Sequence, residues 1–204
     1  MNSERAAKLV DKSLKESTDA IWSMDTSKIA EIAQKTMKCY RKGGKVMLCG
    51  NGGSASQAQH LAAELVSKFR LRRPALSALA LTTDPSILTA QANDVGFETV
   101  FERQVEAHGR KGDVLIGLST SGRSPNVVKA VRRARQMGLV TIAMTGNCRD
   151  SELAKNADEV LFVESADTPR IQEAHLVAGH IVCDLVEGEF SLGTRRKRGR
   201  RFHR

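Results

Sequence analysis

Five short stretches of this sequence are apolar almost without interruption, and their spacing restricts the fold more than any other feature. Strands that are buried on both faces show this continuous pattern, whereas half-exposed strands alternate apolar and polar residues. Helical segments of about ten residues or more separate the stretches, which is the length that a crossover between parallel strands requires. We therefore predict a five-stranded parallel sheet with helices on both faces. The predicted strands are residues 45–50, 76–81, 113–119, 139–145 and 159–164.

A helical extension is predicted before the first strand. Residues 1–44 carry apolar side chains at helical spacing on both sides of a break at residues 25–27, which indicates two helices. We interpret residues 45–190 as one α/β domain that contains the sheet. Its last helix is predicted to have Thr168 as its N-cap, to end at about Glu187 and to be apolar on almost all sides. We therefore expect this helix to be buried, in part against another subunit.

The net charge of +9 is concentrated at the C-terminal end of the chain. Residues 195–204 contain seven arginine or lysine residues and no acidic residue, so residues 1–194 carry a net charge of only +2. Blocks of like charge repel one another and rarely fold, and we predict a disordered basic tail at residues 191–204. A tail that binds nucleic acid or another acidic surface is the alternative. The single tryptophan and the single tyrosine lie far from the tail, so base stacking has little support and nucleic acid is not an expected partner of the domain.

The N-terminus and the cysteines indicate the compartment. No run of 18 or more apolar residues occurs, and the first 17 residues are charged where a signal peptide has an apolar centre. The four cysteines include no pair at CxxC spacing. We predict a cytoplasmic protein with free thiols and no contact with a membrane.

Hydroxyl side chains are concentrated after the third predicted strand, in what we call the hydroxyl loop. They are Ser119, Thr120, Ser121 and Ser124, and Pro125 then opens a helix. Hydroxyl groups beside the free N–H groups of a helix N-terminus suit a phosphate, so we predict phosphate binding here. An ordinary turn with Ser124 as its N-cap is the alternative. The loop has neither the GKS/T of a Walker sequence nor a GxGxxG fingerprint, which argues against nucleotide hydrolysis.

The loop after the first predicted strand is rich in glycine, and we call it the glycine loop. It consists of Asn51, Gly52, Gly53 and Ser54. Ligands of such sheets bind at the carboxyl ends of the strands, so we expect this loop to direct backbone donors at a ligand there. On the helix that follows, His60 and Glu64 are four residues apart and lie on one face, where they suit a shared metal ion or proton transfer. Such a pair by itself is more often a surface contact.

The last predicted helix carries a second cluster of polar residues. It consists of Gln172, Glu173, His175 and His180. Polar groups inside an otherwise apolar helix are costly unless they bind something, so this cluster strengthens the metal hypothesis for His60 and Glu64. We interpret His175 as a packing or interface residue.

Three segments of the chain, in this order, resemble the phosphoheptose isomerases, which are enzymes with a sugar isomerase (SIS) domain. They are CGNGGSASQAQHLAAE at residues 49–64, LTTDPSILTAQANDVGFETVFERQVEAHGRKGDVLIGLSTSGRSPNVVKA at residues 81–130 and TPRIQEAHLVAGHIVCDLVE at residues 168–187. The resemblance extends from about residue 5 to residue 190 and leaves out only the basic tail. It implies a three-layer, flavodoxin-like SIS fold, and an enzyme that converts sedoheptulose 7-phosphate to D-glycero-D-manno-heptose 7-phosphate.

The resemblance also implies which residues form the active site. The hydroxyl loop would hold the phosphate, and the sugar would contact the glycine loop, Glu64, Gln172 and the pair Asn93 and Asp94. Glu64 would be the catalytic base and His180 the acid. Each subunit would bind one zinc ion, a metal that suits mixed imidazole, carboxylate and carbonyl ligands. The implied ligands are His60, Glu64, Gln172 and His180.

The implied reaction is proton transfer through an enediol between the first two sugar carbons, at active sites shared between the subunits of a homotetramer. It is the first step in the synthesis of ADP-heptose for lipopolysaccharide cores or surface glycans. The alternative is a non-catalytic SIS protein that binds a phosphosugar and a partner of the replication-initiator type. A pure binding protein has no need of His60, Glu64 and His180 together, which favours the enzyme. A sugar-phosphate-sensing transcription regulator is disfavoured, because the N-terminal helices offer no positively charged recognition helix.

Overall fold

The computed structural model describes residues 2–191, with a five-stranded sheet at its centre. The strands are β1 (Val46–Gly50), β2 (Ala78–Ala80), β3 (Val114–Leu118), β4 (Val140–Thr145) and β5 (Glu159–Phe162). All neighbouring strands pair in parallel, in the order β2-β1-β3-β4-β5. This is the order of flavodoxin-like folds, whose ligands bind where the strand order reverses, between β1 and β3. The predicted parallel sheet is confirmed.

Helices alternate with the strands, and two further helices precede them. They are α1 (Ser3–Trp22), α2 (Thr26–Arg41), α3 (Gly53–Val66), α4 (Pro85–Asp94), α5 (Val100–His108), α6 (Pro125–Gln136), α7 (Glu152–Asn156) and α8 (Thr168–Phe190). A short 3₁₀ turn, Phe97–Thr99, separates α4 from α5. The two predicted N-terminal helices are confirmed. At the break between them, Asp25 caps α2 by accepting hydrogen bonds from the backbone N–H groups of Ser27 and Lys28.

Helix α8 differs from the prediction at both ends. Its N-cap is Asp167 and not Thr168, because Asp167 has an extended backbone and its carbonyl accepts the first helical hydrogen bond, from the N–H of Ile171 (3.0 Å). Thr168 is therefore the first helical residue. At the other end the helix continues beyond Glu187 to Phe190.

In the single chain, α8 is buried on one side only. Ala174 and Ala178 are fully buried, whereas Ile181 and Leu185 are 41% and 44% exposed. Helices α1, α2 and α3 pack against α8 and leave its other side uncovered. The predicted contact of this helix with another subunit stays a prediction, and the exposed apolar side is where it would lie.

The side chains of the strands alternate between two cores. Val46 and Leu48 of β1 belong to a core formed with α1, α2, α3 and α8, whereas Met47 and Cys49 belong to a core formed with α5, α6 and α7. Both faces of the sheet are therefore covered, which explains the continuous apolarity of the strands. All four cysteines are free, as predicted, and burial raises the pKa of the Cys49 thiol to about 12.

Helices α3 and α8 run side by side and in the same direction. Gly53 lies against Gln172 near the start of both helices, and Leu61 lies against Gly179 further along. A Cβ atom added to Gly179 would stand 2.6 Å from two methyl carbons of Leu61. The absence of a side chain at Gly179 therefore lets the two helices approach closely beside the predicted site histidines.

We expect Gly179→Ala to lower the free energy of unfolding by about 1–3 kcal/mol, because the added methyl group overpacks against Leu61. Gly188→Ala is the matched control in the same helix, since a Cβ atom there would meet no atom within 4 Å. Alanine favours a helix over glycine by up to about 1 kcal/mol, so the control should be neutral or stabilising. Urea unfolding followed by circular dichroism measures both variants. Equal stability of the two would contradict the packing argument.

Three predictions concern the edges of the fold. Among residues 2–191, no helix is long and apolar enough to cross a membrane. All of the predicted basic tail after residue 191 lies outside the described residues, so the tail stays a prediction. The domain boundary at residue 44 also stays a prediction; Ile29 and Ile32 of α2 share a core with the strands.

Candidate active site

A cavity of about 450 Å³ opens at the carboxyl ends of β3, β4 and β5. Residues that follow each of these strands line it, together with the first turn of α8. They include Thr120, Ser121, Arg123, Asn147, Ser165 and Thr168. Helix α8 begins in the wall of the cavity, and its N-terminus carries partial positive charge that favours an anion. The cavity therefore suits the charged end of a small anionic ligand.

The four hydroxyl groups of the hydroxyl loop divide into two pairs. Thr120 and Ser121 line the cavity. Ser119 is only 3% exposed, and its Oγ lies 2.9 Å from the Oγ of Ser124. Ser124 occupies the N-cap position of α6, but its hydroxyl makes no capping hydrogen bond. The structure thus brings two of the four predicted hydroxyls into the cavity and uses the other two to brace the loop.

The glycine loop lies between the hydroxyl loop and α8. The side-chain amides of Asn51 and Asn126 donate hydrogen bonds to each other (2.9 and 2.8 Å), which joins the glycine loop to the start of α6. Gly52 is the N-cap residue of α3. A Cβ atom on Gly53 would stand 2.6 Å from Oε1 of Gln172, so glycine is needed there for the amide of Gln172 to lie over the loop.

Of the predicted substrate contacts, only Thr120 and Ser121 line the cavity; those outside its wall are Ser119, Ser124, the glycine loop, Glu64, Gln172, Asn93 and Asp94. Ser54 is 3% exposed, and its Cβ lies beneath the loop, next to the backbone of Gly50. Asn93 and Asp94 are exposed at the end of α4, where the amide of Asn93 donates a hydrogen bond to the carboxylate of Asp94 (2.9 Å). Their predicted contact with the substrate stays a prediction.

His60, Glu64 and His180 converge, although 120 positions of sequence separate the two histidines. One nitrogen or oxygen atom from each of the three side chains lies within 4.8 Å of the others. Nε2 of His60 is 2.7 Å from Nε2 of His180 and 3.5 Å from Oε1 of Glu64. Which of the two Nε2 atoms donates to the other depends on the tautomers of the two rings. The three side chains therefore place their polar atoms around one small space, where they suit a shared ligand.

The donor set of this cluster fits a zinc ion. Two imidazoles and one carboxylate come from two packed helices, and the side chains of His60 and Glu64 are 45% and 22% exposed, so a ligand has access. Zinc prefers such nitrogen and oxygen donors and takes four ligands, or three and an open position. The predicted fourth ligand, Gln172, lies against Gly53, about 12 Å before His180 by helix rise.

His175 is a packing residue, as predicted. It is fully buried, and burial lowers the pKa of its imidazole to about 4. The ring is therefore neutral near pH 7, which makes it a poor proton donor at that pH.

Comparison with known proteins identifies the family. A family model described as a SIS domain matches residues 11–146. Phosphoheptose isomerases from Burkholderia pseudomallei (strain 1710b) and Clostridium acetobutylicum are 56% and 54% identical to the chain over 159 and 162 residues. These matches cover 78% and 79% of this chain, and 80% and 82% of those proteins. The chain belongs to the phosphoheptose isomerase family.

Solved structures of phosphoheptose isomerases share the fold. The structure from Neisseria gonorrhoeae has a TM-score of 0.81 and 40% identity, and the match covers 91% of this chain and 98% of that one. The structure from Francisella tularensis has a TM-score of 0.84 and 34% identity, and the match covers 92% and 100%. The predicted three-layer SIS fold is therefore confirmed.

Sequence reasoning missed several residues that this family member places around its cavity. Arg123 lies within the predicted hydroxyl loop, and its positive charge is a signal that could have identified it as an anion-binding residue. Asn147 and Ser165 follow β4 and β5, so the rule that ligands bind at the carboxyl ends of strands points to them. Glu164 is also in the wall, where Arg149 pairs with it and offsets its negative charge.

Proposed function

We propose that this protein is an aldose–ketose isomerase that converts sedoheptulose 7-phosphate to D-glycero-D-manno-heptose 7-phosphate. The observation that carries the proposal is the meeting of the Glu64 carboxylate with the His180 imidazole, from two helices far apart in sequence. The names of the relatives support the same reaction. We further propose that the protein acts in the cytoplasm, at the first step towards ADP-heptose for lipopolysaccharide cores or surface glycans.

The proposed mechanism moves one proton between carbons and others between oxygens. Glu64 removes a proton from C1 of the open-chain ketose, and the C1–C2 enediol forms as His180 protonates the oxygen on C2. The oxygen on C1 then loses its proton to the imidazole and becomes the aldehyde oxygen, while Glu64 returns the first proton to C2. Protons and electrons balance, so no redox partner is needed.

We propose that zinc occupies the His60, Glu64 and His180 cluster, with Gln172 as the fourth ligand that the family resemblance implies. A bound zinc ion would supply positive charge that polarises oxygen atoms of the substrate. Ligand atoms of zinc are deprotonated and are weak bases, so Glu64 and His180 would act as base and acid only when they are released from the metal. The chain's own contribution is to hold two imidazoles and a carboxylate within 4.8 Å of one another. The close packing of α3 and α8 at Gly179 keeps these side chains together.

We propose a homotetramer in which neighbouring subunits share each active site. The family resemblance implies that neighbouring subunits contribute to each active site, which requires a surface of this chain that another copy covers. The exposed Ile181 and Leu185 of α8 offer an apolar surface for that contact.

We expect the double variant Thr120→Val, Ser121→Ala to lower kcat/KM for sedoheptulose 7-phosphate by about 10²- to 10⁴-fold. Each hydrogen bond to a charged group contributes about 1.5–3 kcal/mol, and both hydroxyls line the proposed phosphate cavity. Steady-state kinetics measure the effect. Ser86→Ala, on the exposed side of α4, is the control and should retain the parent values. If the double variant had the same kinetic constants as the parent, the proposal that the phosphate binds in this cavity would be contradicted.

The deciding experiment is to incubate the purified protein with sedoheptulose 7-phosphate and to follow the aldose product. Turnover supports the isomerase. A parent protein that binds the sugar phosphate without turning it over would contradict the isomerase and favour a non-catalytic phosphosugar-binding protein. Light scattering tests the tetramer, whose mass would be about four times the 22.3 kDa of one chain.

A further inference from the structure

A buried carboxylate on α8 binds the backbone of a segment that has no regular secondary structure of its own. Glu187 is 1% exposed and lies two turns beyond His180 on the same helix. It accepts hydrogen bonds from three consecutive backbone N–H groups, those of Phe69, Arg70 and Leu71, at 2.8, 2.5 and 2.7 Å. These residues lie between α3 and β2, in a connection without regular secondary structure.

The same carboxylate is linked to the helix turn that carries Glu64. The Arg73 side chain is 1% exposed, and its Nε lies 3.3 Å from Oε1 of Glu187. Its Nη2 donates a hydrogen bond to the backbone carbonyl of Glu64 (2.6 Å). That carbonyl is in the last turn of α3, where carbonyl groups have no partner within the helix. Arg73 therefore joins Glu187 to the end of α3.

The segment also contacts the catalytic histidine. The rings of Phe69 and His180 are 5.4 Å apart between centroids, with an angle of 31° between their planes. The Arg70 guanidinium also contacts Phe69, since it lies over the Phe69 ring, 5.0 Å from the ring centre. A change in the position of Phe69 would therefore change the packing around the His180 ring.

Only an ionised carboxylate satisfies this arrangement. Burial raises the pKa of Glu187, but the hydrogen bonds from Leu71, Arg70 and Phe69 outweigh it and leave the pKa below its usual value. A carboxylate accepts several hydrogen bonds and donates none, whereas an amide in its place would direct N–H groups at other N–H groups. Replacement of the carboxylate by an amide is therefore unfavourable, because it leaves buried N–H donors without an acceptor.

We propose that Glu187 is a positioning residue of this active site. It holds residues 69–71, and through Phe69 and Arg73 it sets the His180 ring and the turn of α3 that bears Glu64. The kinetic part of this inference rests on the proposed isomerase function, while the structural part does not.

The test compares Glu187→Gln with Glu189→Gln, a matched substitution two residues away. Glu189 pairs with Arg41 (2.9 Å), away from the connection that Glu187 holds. We expect Glu187→Gln to lower kcat by about 10- to 100-fold, as small displacements of catalytic groups do. KM should change less than about threefold, because the phosphate is bound elsewhere. Glu189→Gln should change neither constant.

Two measurements on the metal-free protein are independent of activity. Hydrogen exchange should show that the amides of residues 69–71 lose at least about tenfold protection in Glu187→Gln and keep it in Glu189→Gln. In protein with ¹⁵N-labelled histidine, the ring signals of His180 should shift in Glu187→Gln only. An inactive parent would overturn the isomerase proposal, and these two measurements would still decide the role of Glu187.

Unchanged His180 signals together with unchanged kcat in Glu187→Gln would overturn the inference. If that variant does not fold, Phe69→Leu tests the same link without altering the buried charge. It should shift the His180 signals and lower kcat while the amides of residues 69–71 remain protected. Parent-like His180 signals and kcat in Phe69→Leu would also overturn the inference.

Discussion

Glu64→Gln is expected to lower kcat for sedoheptulose 7-phosphate by about 10²- to 10⁴-fold, the usual contribution of a positioned acid or base. Glutamine has nearly the same shape and still forms hydrogen bonds, but it does not take a proton from carbon. The side chain is 22% exposed, so the change leaves no uncompensated buried charge. Steady-state formation of the aldose product measures the effect.

Glu4→Gln controls for the loss of a negative charge. Glu4 is on α1, and its side chain is 76% exposed, so the variant should turn over like the parent. Thermal unfolding should give similar midpoints for the parent and both variants, since surface substitutions usually change stability by less than about 0.5 kcal/mol. A Glu64→Gln enzyme with kcat within tenfold of the parent value would show that another group removes the proton.

His180→Gln is expected to have an effect of similar size, about 10²- to 10⁴-fold on kcat, because glutamine does not donate and regain a proton near neutral pH. It should also weaken zinc binding, since one of the two imidazoles of the cluster is lost. Kinetics with saturating substrate measure the first effect, and competition with a metal chelator measures the second.

His108→Gln provides the matched control for His180. His108 is exposed at the end of α5 and should retain both activity and zinc affinity when it is replaced. The two readouts separate the two roles of His180. Loss of zinc affinity with unchanged kcat would exclude His180 as the acid, whereas loss of kcat with unchanged affinity would exclude it as a zinc ligand.

The secondary structure could be predicted because its causes are local. Continuous apolarity marked the five strands, since each strand is covered on both faces by helices. Helical spacing marked the two N-terminal helices and α8. The error at the start of α8 was one residue, because Thr168 and Asp167 are both common N-cap residues and the choice depends on the backbone of the preceding loop.

The candidate site could be predicted only in part. Hydroxyl and glycine residues at strand ends indicated anion and ligand loops, and helical spacing placed His60 beside Glu64. Pairing of these residues with His180 came from the family resemblance. The chain alone contains no local signal for that pairing, because it depends on the packing of α3 against α8 at Gly179.

The amino-acid sequence by itself determined the strands, the helices, the ligand loops and the residue types that suit a sugar phosphate and a metal ion. Tertiary structure alone decided that His60 meets His180, that Ser119 braces Ser124, and that Glu187 holds the connection at residues 69–71. The physical reason is one of range. Periodicity and capping act within a few residues, whereas a hydrogen bond between distant residues forms only after packing has brought their backbones together.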